Sequence, residues 1–235
     1  MVKSIAIVGG SSDIAKSTIS SMSADNYKFH VLVRDDSHTD ELSASGVSVV
    51  LGDATSEEDI KNFISGVKES GEIHAILHCV GSFAVRPPHA MNKEAFETVI
   101  STNLTSAFLT LSIAGKAMLS QGHGRMVFMS SVAGSLGLVN HEAISAAKGG
   151  IESMVRSAAA TYANRGLRIN AVAPGLTDTK LASPIMSNET ASQAASQKIP
   201  IKRVGQKEEV ANVIKWLLTE APENFTGQIL HTDGG

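Results

Sequence analysis

Cysteine is almost missing from this chain. Cys79 stands alone among 235 residues, which excludes an intrachain disulfide framework and suits a reducing compartment. Charge is sparse as well: Asp, Glu, Lys and Arg make up 18% of the residues, below the roughly 25% of an average soluble domain, and the formal net charge is -3. No block of Lys or Arg forms a basic stripe, so nucleic acid is not expected as a partner. Long apolar runs are lacking. None approaches the 18 residues that span a bilayer, and the start, MVKSIAIVGG, lacks a long hydrophobic region followed by a small-residue cleavage site. These absences lead to the expectation of a cytoplasmic globular protein with no membrane partner.

What is present is ample core material, with 43% hydrophobic residues and no internal repeat or linker, so one domain over residues 1–235 is expected. Short apolar runs recur at Ser4–Val8, Phe29–Val33, Val47–Leu51, Ala75–Val80, Met126–Met129, Ile169–Ala173 and Ile229–Thr232. Most are β-branched and nearly continuous, as in strands buried on both faces of a parallel sheet. Between them lie helical stretches. Over Lys93–Ser120, the residues Phe96, Val99, Ile100, Leu104, Ala107, Phe108, Leu111 and Met118 fall on one helical face. Ile144, Ala147, Ile151, Met154, Val155, Ala158 and Tyr162 do the same in the next long helix. The alternation predicts an α/β fold, a doubly wound parallel sheet of about seven strands with helices on both faces. Residues 176–203, rich in Ser, Ala and Thr, have no clear place in that sheet and read as a substrate lid or a surface insertion.

The first strand ends in Gly9-Gly10-Ser11-Ser12-Asp13-Ile14-Ala15, and a helix follows. A glycine turn between strand and helix brings backbone N–H groups and the positive helix end close to a pyrophosphate. This spacing resembles the short-chain dehydrogenase/reductase family, whose turn usually reads T-G-x-x-x-G-x-G, and the likeness continues along essentially the whole chain. The chain departs from that pattern at Val8, Asp13 and Ala15. Asp13 reads as an N-cap rather than a ligand contact.

The resemblance implies a dinucleotide held by Gly9, Ser11, Ser12 and Ile14, and further contacts follow from it residue by residue. Val33 occupies the place of the family's NAD-specific Asp, and Arg34 the place where NADP-binding members often carry Arg, so NADP(H) is favoured over NAD(H). The other reading of Arg34 is a solvated surface residue. Asp53 resembles the adenine-contacting Asp, or caps a helix. Gly81 survives from the family's N-N-A-G, while His78 and Cys79 read as structural. Pro174, Gly175, Thr177 and Thr179 match the turn that holds the nicotinamide carboxamide.

Asn103, Ser131 and Lys148 match the family's catalytic Asn, Ser and Lys, but the Tyr expected thirteen residues after Ser131 is Ile144. The general acid is therefore absent from its usual place. His141, three residues earlier and of a type suited to proton transfer, is the candidate substitute; Glu142 is a second, and both also suit a helix start. Tyr162, far along the helix, reads as core. The implied function is an NADP(H)-dependent oxidoreductase acting on a small carbonyl or alcohol. The alternatives are an inactive dinucleotide-binding sensor or partner subunit, and a non-redox lyase or isomerase using the same pocket. The C-terminal stretch from Ile199 to Gly235 implies a homodimer or homotetramer. No metal site is assigned.

Overall fold

β-branched and Leu-rich runs become strands here because both faces of the sheet are covered by helices. The computed structural model describes residues 3–23 and 26–235; Met1 and Val2, where the reading of the leader begins, lie outside them. The chain runs β1 (Lys3–Val8), α1 (Asp13–Ser21), β2 (Tyr27–Val33), α2 (Thr39–Ala44), β3 (Ser48–Leu51), α3 (Glu57–Glu69) and β4 (Ile73–His78). Next, α4 (Lys93–Ile100) passes through a π-helical turn (Ser101–Thr105) into α5 (Ser106–Leu119). Then come β5 (Gly124–Met129), α6 (Glu142–Tyr162), β6 (Leu167–Pro174), β7 (Thr177–Asp178), α7 (Ser183–Met186) and α8 (Glu189–Lys198). β8 (Gly205–Gln206), α9 (Lys207–Thr219) and β9 (Ile229–Thr232) close the chain.

Seven strands form one parallel sheet in the order β3-β2-β1-β4-β5-β6-β9. The seven apolar runs supply these strands, with only Val47, Cys79 and Val80 falling outside. Alternate residues of each strand serve opposite cores. Ala6 and Val8 join Ile60, Phe63, Leu111 and Ile151 on one side, while Ile5 and Ile7 join Ile19, Leu42, Ile214 and Leu217 on the other. Each fully buried Ile or Leu contributes about 1.5–3 kcal/mol. Helix starts are sealed locally: Ser12, Ser56, Asn92 and Asn188 each accept the N–H three residues on. Because β1 lies between β2 and β4, the strand order reverses there, and a crevice opens beyond the carboxyl ends of β1 and β4.

The single apolar stripe expected across residues 93–120 does not hold. Phe96 is 41% exposed and Phe108 55% exposed. The π-helical turn adds a residue to the helical repeat, so a stripe counted at 3.6 residues per turn loses register past Ser101 and Phe108 turns outward; Phe96 lies earlier, in α4, where only Val99 is buried. The stretch Lys93–Leu119 is long and apolar enough to pass for a membrane span by composition, but it packs against α3 and α6 and carries buried core residues. Residues 176–203 fold as β7, a short helical turn, α7 and α8. Neither α7 nor α8 buries a residue, and β7 pairs with β8 at their base.

Candidate active site

The glycine turn has no room for side chains. Gly9 adopts φ +86°, and a Cβ there would lie 2.9 Å from the Cys79 carbonyl carbon; at Gly10 it would lie 2.5 Å from Val31 Cβ. Both backbone N–H groups donate to Leu32 O, at 3.0 and 3.1 Å. Ser12, not Asp13, is the N-cap of α1, accepting the Ala15 N–H at 3.1 Å while its hydroxyl donates to Cys79 Sγ at 3.1 Å. Asp13 is the first helical residue, and its carboxylate accepts the Lys180 N–H at 2.6 Å, which corrects the capping expectation.

The turn opens on a cleft of about 600 Å³ lined by Gly9, Ser11, Ser12, Arg34, Asp53 and Gly81, among others. Six residues singled out from sequence thus share one hollow. Ile14 does not line it and packs beneath, on the core around Ile19. A larger hollow of about 800 Å³, between α1, α2 and α9, holds none of the candidate residues.

Arg34 is exposed at the end of β2, and no hydrogen bond or ion pair engages it among the described residues. The adjacent Asp35 is occupied elsewhere, accepting from the Ser37 backbone and hydroxyl. Asp53 does not cap α3, since Ser56 does; its carboxylate accepts Thr55 N–H and hydroxyl, both at 2.8 Å, and its edge faces the cleft.

Asn103 lies in the π-helical turn, fully buried. Its amide donates to Ser82 Oγ at 2.8 Å and Val99 O at 2.9 Å, and its oxygen accepts the Ser82 N–H at 3.2 Å. A Cβ on Gly81 would sit 3.4 Å from that oxygen and 3.6 Å from Lys148 Nζ, so Gly81 lets the two groups approach one point. Just before it, His78 is buried between Thr110 Oγ1 at 3.0 Å and Ser106 Oγ at 3.1 Å. Burial, with the Lys148 charge nearby, drops its pKa to about 3, so it stays neutral and structural as expected. Burial likewise pushes the Cys79 thiol up.

Ser131 follows the end of β5. Its Oγ accepts the Ala133 N–H at 3.2 Å, which leaves the hydroxyl hydrogen without an acceptor among the described residues. Lys148 is 6% exposed, and its Nζ donates to Met129 O at 2.8 Å, two residues before Ser131. Desolvation lowers its pKa to about 8, partly offset by Cys79. One turn earlier on the same face, Ile144 is packed among Val99, Ala133, Ala143 and Ala147. His141, at the α6 N-cap position, donates from Nδ1 to Val139 O at 2.7 Å, which leaves Nε2 as an acceptor when the ring is neutral and as a donor when both nitrogens carry hydrogen.

Sequence reasoning missed Glu152. It is buried in α6 and accepts from the Ser130 hydroxyl at 2.9 Å, and a Cβ on Gly134 would lie 2.6 Å from its Oε1. The available signal was a carboxylate one helical turn after Lys148, directly beside the stripe residue Ile151. At the end of β6, Gly175 passes so close to Asp233 that a Cβ would lie 2.9 Å from its Cα. Thr177 Oγ1 then donates to Gly175 O at 3.1 Å, and Thr179 Oγ1 approaches Thr177 O at 3.4 Å.

Comparison with known proteins follows the same outline. Residues 9–235 match the family model described as enoyl-(acyl carrier protein) reductase. The chain is 32% identical over 234 residues to the 3-oxoacyl-[acyl-carrier-protein] reductase MabA of Mycobacterium tuberculosis, covering 99% of this chain and 92% of that protein. It is 36% identical over 188 residues to a cis-4-hydroxycyclohexanecarboxylate dehydrogenase of Sinomonas cyclohexanicum, covering 79% and 75% of the two chains. Among solved structures, ElxO with NADP bound superimposes with a TM-score of 0.93 at 26% identity, covering 100% of this chain and 98% of that one. Sheet order, glycine turn and sequence likeness agree: the chain belongs to the short-chain dehydrogenase/reductase family.

Proposed function

We propose that this protein is an NADP(H)-dependent oxidoreductase acting on a carbonyl or alcohol substrate. One observation carries the reading: the buried Lys148 ammonium is tied to Met129 O, at the end of the strand that presents the unengaged Ser131 hydroxyl two residues later. Gly9 lets the turn pass against Cys79, Gly81 lets Asn103 and Lys148 converge, both line the cleft, and Arg34 stands unpaired at its rim. ElxO with NADP bound and the actinorhodin polyketide ketoreductase with NADPH support the cofactor assignment, and a Tyr-to-Phe variant of ElxO still has NADPH bound.

When bound, the dinucleotide supplies or accepts the hydride. Ser131 donates its free hydroxyl hydrogen to the substrate oxygen. Lys148 places a positive charge at the end of β5, where negative charge on that oxygen is stabilised. Asn103 holds the π-helical turn and, through Ser82, the chain around Gly81. His141, with its ring doubly protonated, provides the proton from Nε2 in place of the missing Tyr, an acid of this kind being worth about 10²–10⁴ in rate. Residues 176–203 serve as the substrate lid. The reading includes a cytoplasmic homodimer or homotetramer, for which the exposed Phe96 and Phe108 offer apolar surface to cover.

Ile144 favours a second reading. Its apolar packing puts no proton donor at the family position, as in a dinucleotide-binding sensor or partner subunit without turnover. NADPH consumption over aldehydes, ketones and 3-oxoacyl thioesters, by the native protein and by Ile144→Tyr, decides between them. Turnover by the native protein establishes the oxidoreductase. Turnover by Ile144→Tyr alone establishes a site complete except for its acid, and with it the second reading.

A further inference from the structure

The Asp13 carboxylate reaches from the glycine turn to a segment far along the chain. Its Oδ2 accepts the Lys180 backbone N–H at 2.6 Å across 167 residues. Lys180 opens the short helical turn Lys180–Ala182, and Thr179 stands at the N-cap position of that turn. A Thr in that position ordinarily caps with its own oxygen. Here Thr179 makes no capping bond, and its hydroxyl only approaches Thr177 O at 3.4 Å, a weak contact. Asp13 therefore satisfies from outside the first N–H of this turn, that of Lys180, which a Thr179 side-chain cap would not reach. Thr177 and Ala182 are buried, but the segment beyond them is lightly held: α7 and α8 bury no residue, and β7 pairs with β8 over two residues only. Asp13 lines the hollow between α1, α2 and α9, together with Lys16 and Lys180, instead of the dinucleotide cleft. A Gly at position 13, as in the family pattern, could not make this bond.

We propose that Asp13 is a positioning residue: by accepting the Lys180 N–H it ties the Thr177–Thr179 turn to the glycine turn and so holds the Thr179 hydroxyl in place for the nicotinamide end of the cofactor. This inference rests on the dinucleotide reading of the cleft. The turns that would meet the pyrophosphate and the nicotinamide then form one unit before the cofactor arrives, and less ordering is left for binding to accomplish.

Calorimetric binding of NADPH and of adenosine 2′,5′-bisphosphate, which has an adenylate end and no nicotinamide, separates the possibilities. Asp13→Ala is expected to weaken NADPH by about tenfold, the worth of one hydrogen bond to a charged acceptor, and to leave the bisphosphate within about twofold. Asp13→Asn, whose amide oxygen can accept the same N–H, is expected to restore NADPH binding. Amide exchange at Lys180 is expected to quicken in Asp13→Ala alone. Equal weakening of both ligands, tightening of both, no change in either, or an Asn variant no better than Ala overturns the tie. If Asp13→Ala does not fold, Asp13→Gly replaces it with the same expected split. A native protein that binds neither ligand overturns the dinucleotide reading itself, and this inference with it.

Discussion

Asn103 and Ser82 clasp each other twice: the Asn103 amide donates to the Ser82 hydroxyl at 2.8 Å, and the Asn103 oxygen accepts the Ser82 N–H at 3.2 Å. Removing the amide leaves a partly buried N–H and a buried helix carbonyl, Val99 O, short of partners. Asn103→Ala is therefore expected to cost about 1–3 kcal/mol. Asn103→Asp should cost more, because it places a carboxylate at a fully buried position. Urea denaturation measures both, and an unchanged midpoint in either variant would contradict the clasp.

Lys148 makes stability depend on pH in a predictable direction. Its folded pKa is about 8, against an ordinary 10.5. Below 8 the lysine is charged in folded and unfolded chains alike, and the cost of burying the charge is fully present. Between 8 and 10.5 the unfolded chain keeps a proton that the folded chain has released, so stability rises with pH across that window. The whole effect amounts to about 3 kcal/mol. Cys79 opposes it above its ordinary pKa of 9.0, since burial keeps the folded thiol protonated. Relative to Lys148→Met, which lacks the titrating group, the native protein should gain stability through the window. A constant difference in urea midpoint from neutral to alkaline pH would disprove the assignment.

Gly10 tolerates no side chain without movement of β2, since a Cβ would stand 2.5 Å from Val31 Cβ. Gly10→Ala is expected to destabilise by about 1–3 kcal/mol through overpacking. Thermal unfolding of the variant tests this, and a native-like Tm would show that β2 can yield there.

Arg34 sets the cofactor preference if it meets the 2′-phosphate. Arg34→Asp is then expected to weaken NADPH about tenfold or more while changing NADH far less. Fluorescence titration with both cofactors reads the ratio, and equal losses would assign Arg34 to the solvent.

The sheet was legible because its strands are buried on both faces and so read as unbroken β-branched runs. The glycine turn was legible because its residues sit between such a strand and a helix. Single-residue events were not. The π-helical turn at Ser101–Thr105 leaves no compositional mark, so Phe108 was placed on the core face and lies half in solvent. Asp13 is of a type that suits a cap, yet the neighbouring Ser12 caps and Asp13 bonds across 167 residues. No local pattern carries a contact of that separation. The position of Glu152 one turn after Lys148 hints at burial, but its partner, Ser130, lies 22 residues earlier, where no local pattern points to it.

The pairing of Thr177 with Gly205 makes the intervening segment a cassette. Its two ends meet as neighbouring strands, about 4.8 Å apart, whatever chain lies between them. Lengthening that chain adds only a slowly growing closure entropy, roughly 0.6 kcal/mol per doubling. Neither of its helices contributes to the two cores, so exchange of this stretch between relatives is expected to leave the sheet beneath it folding as before.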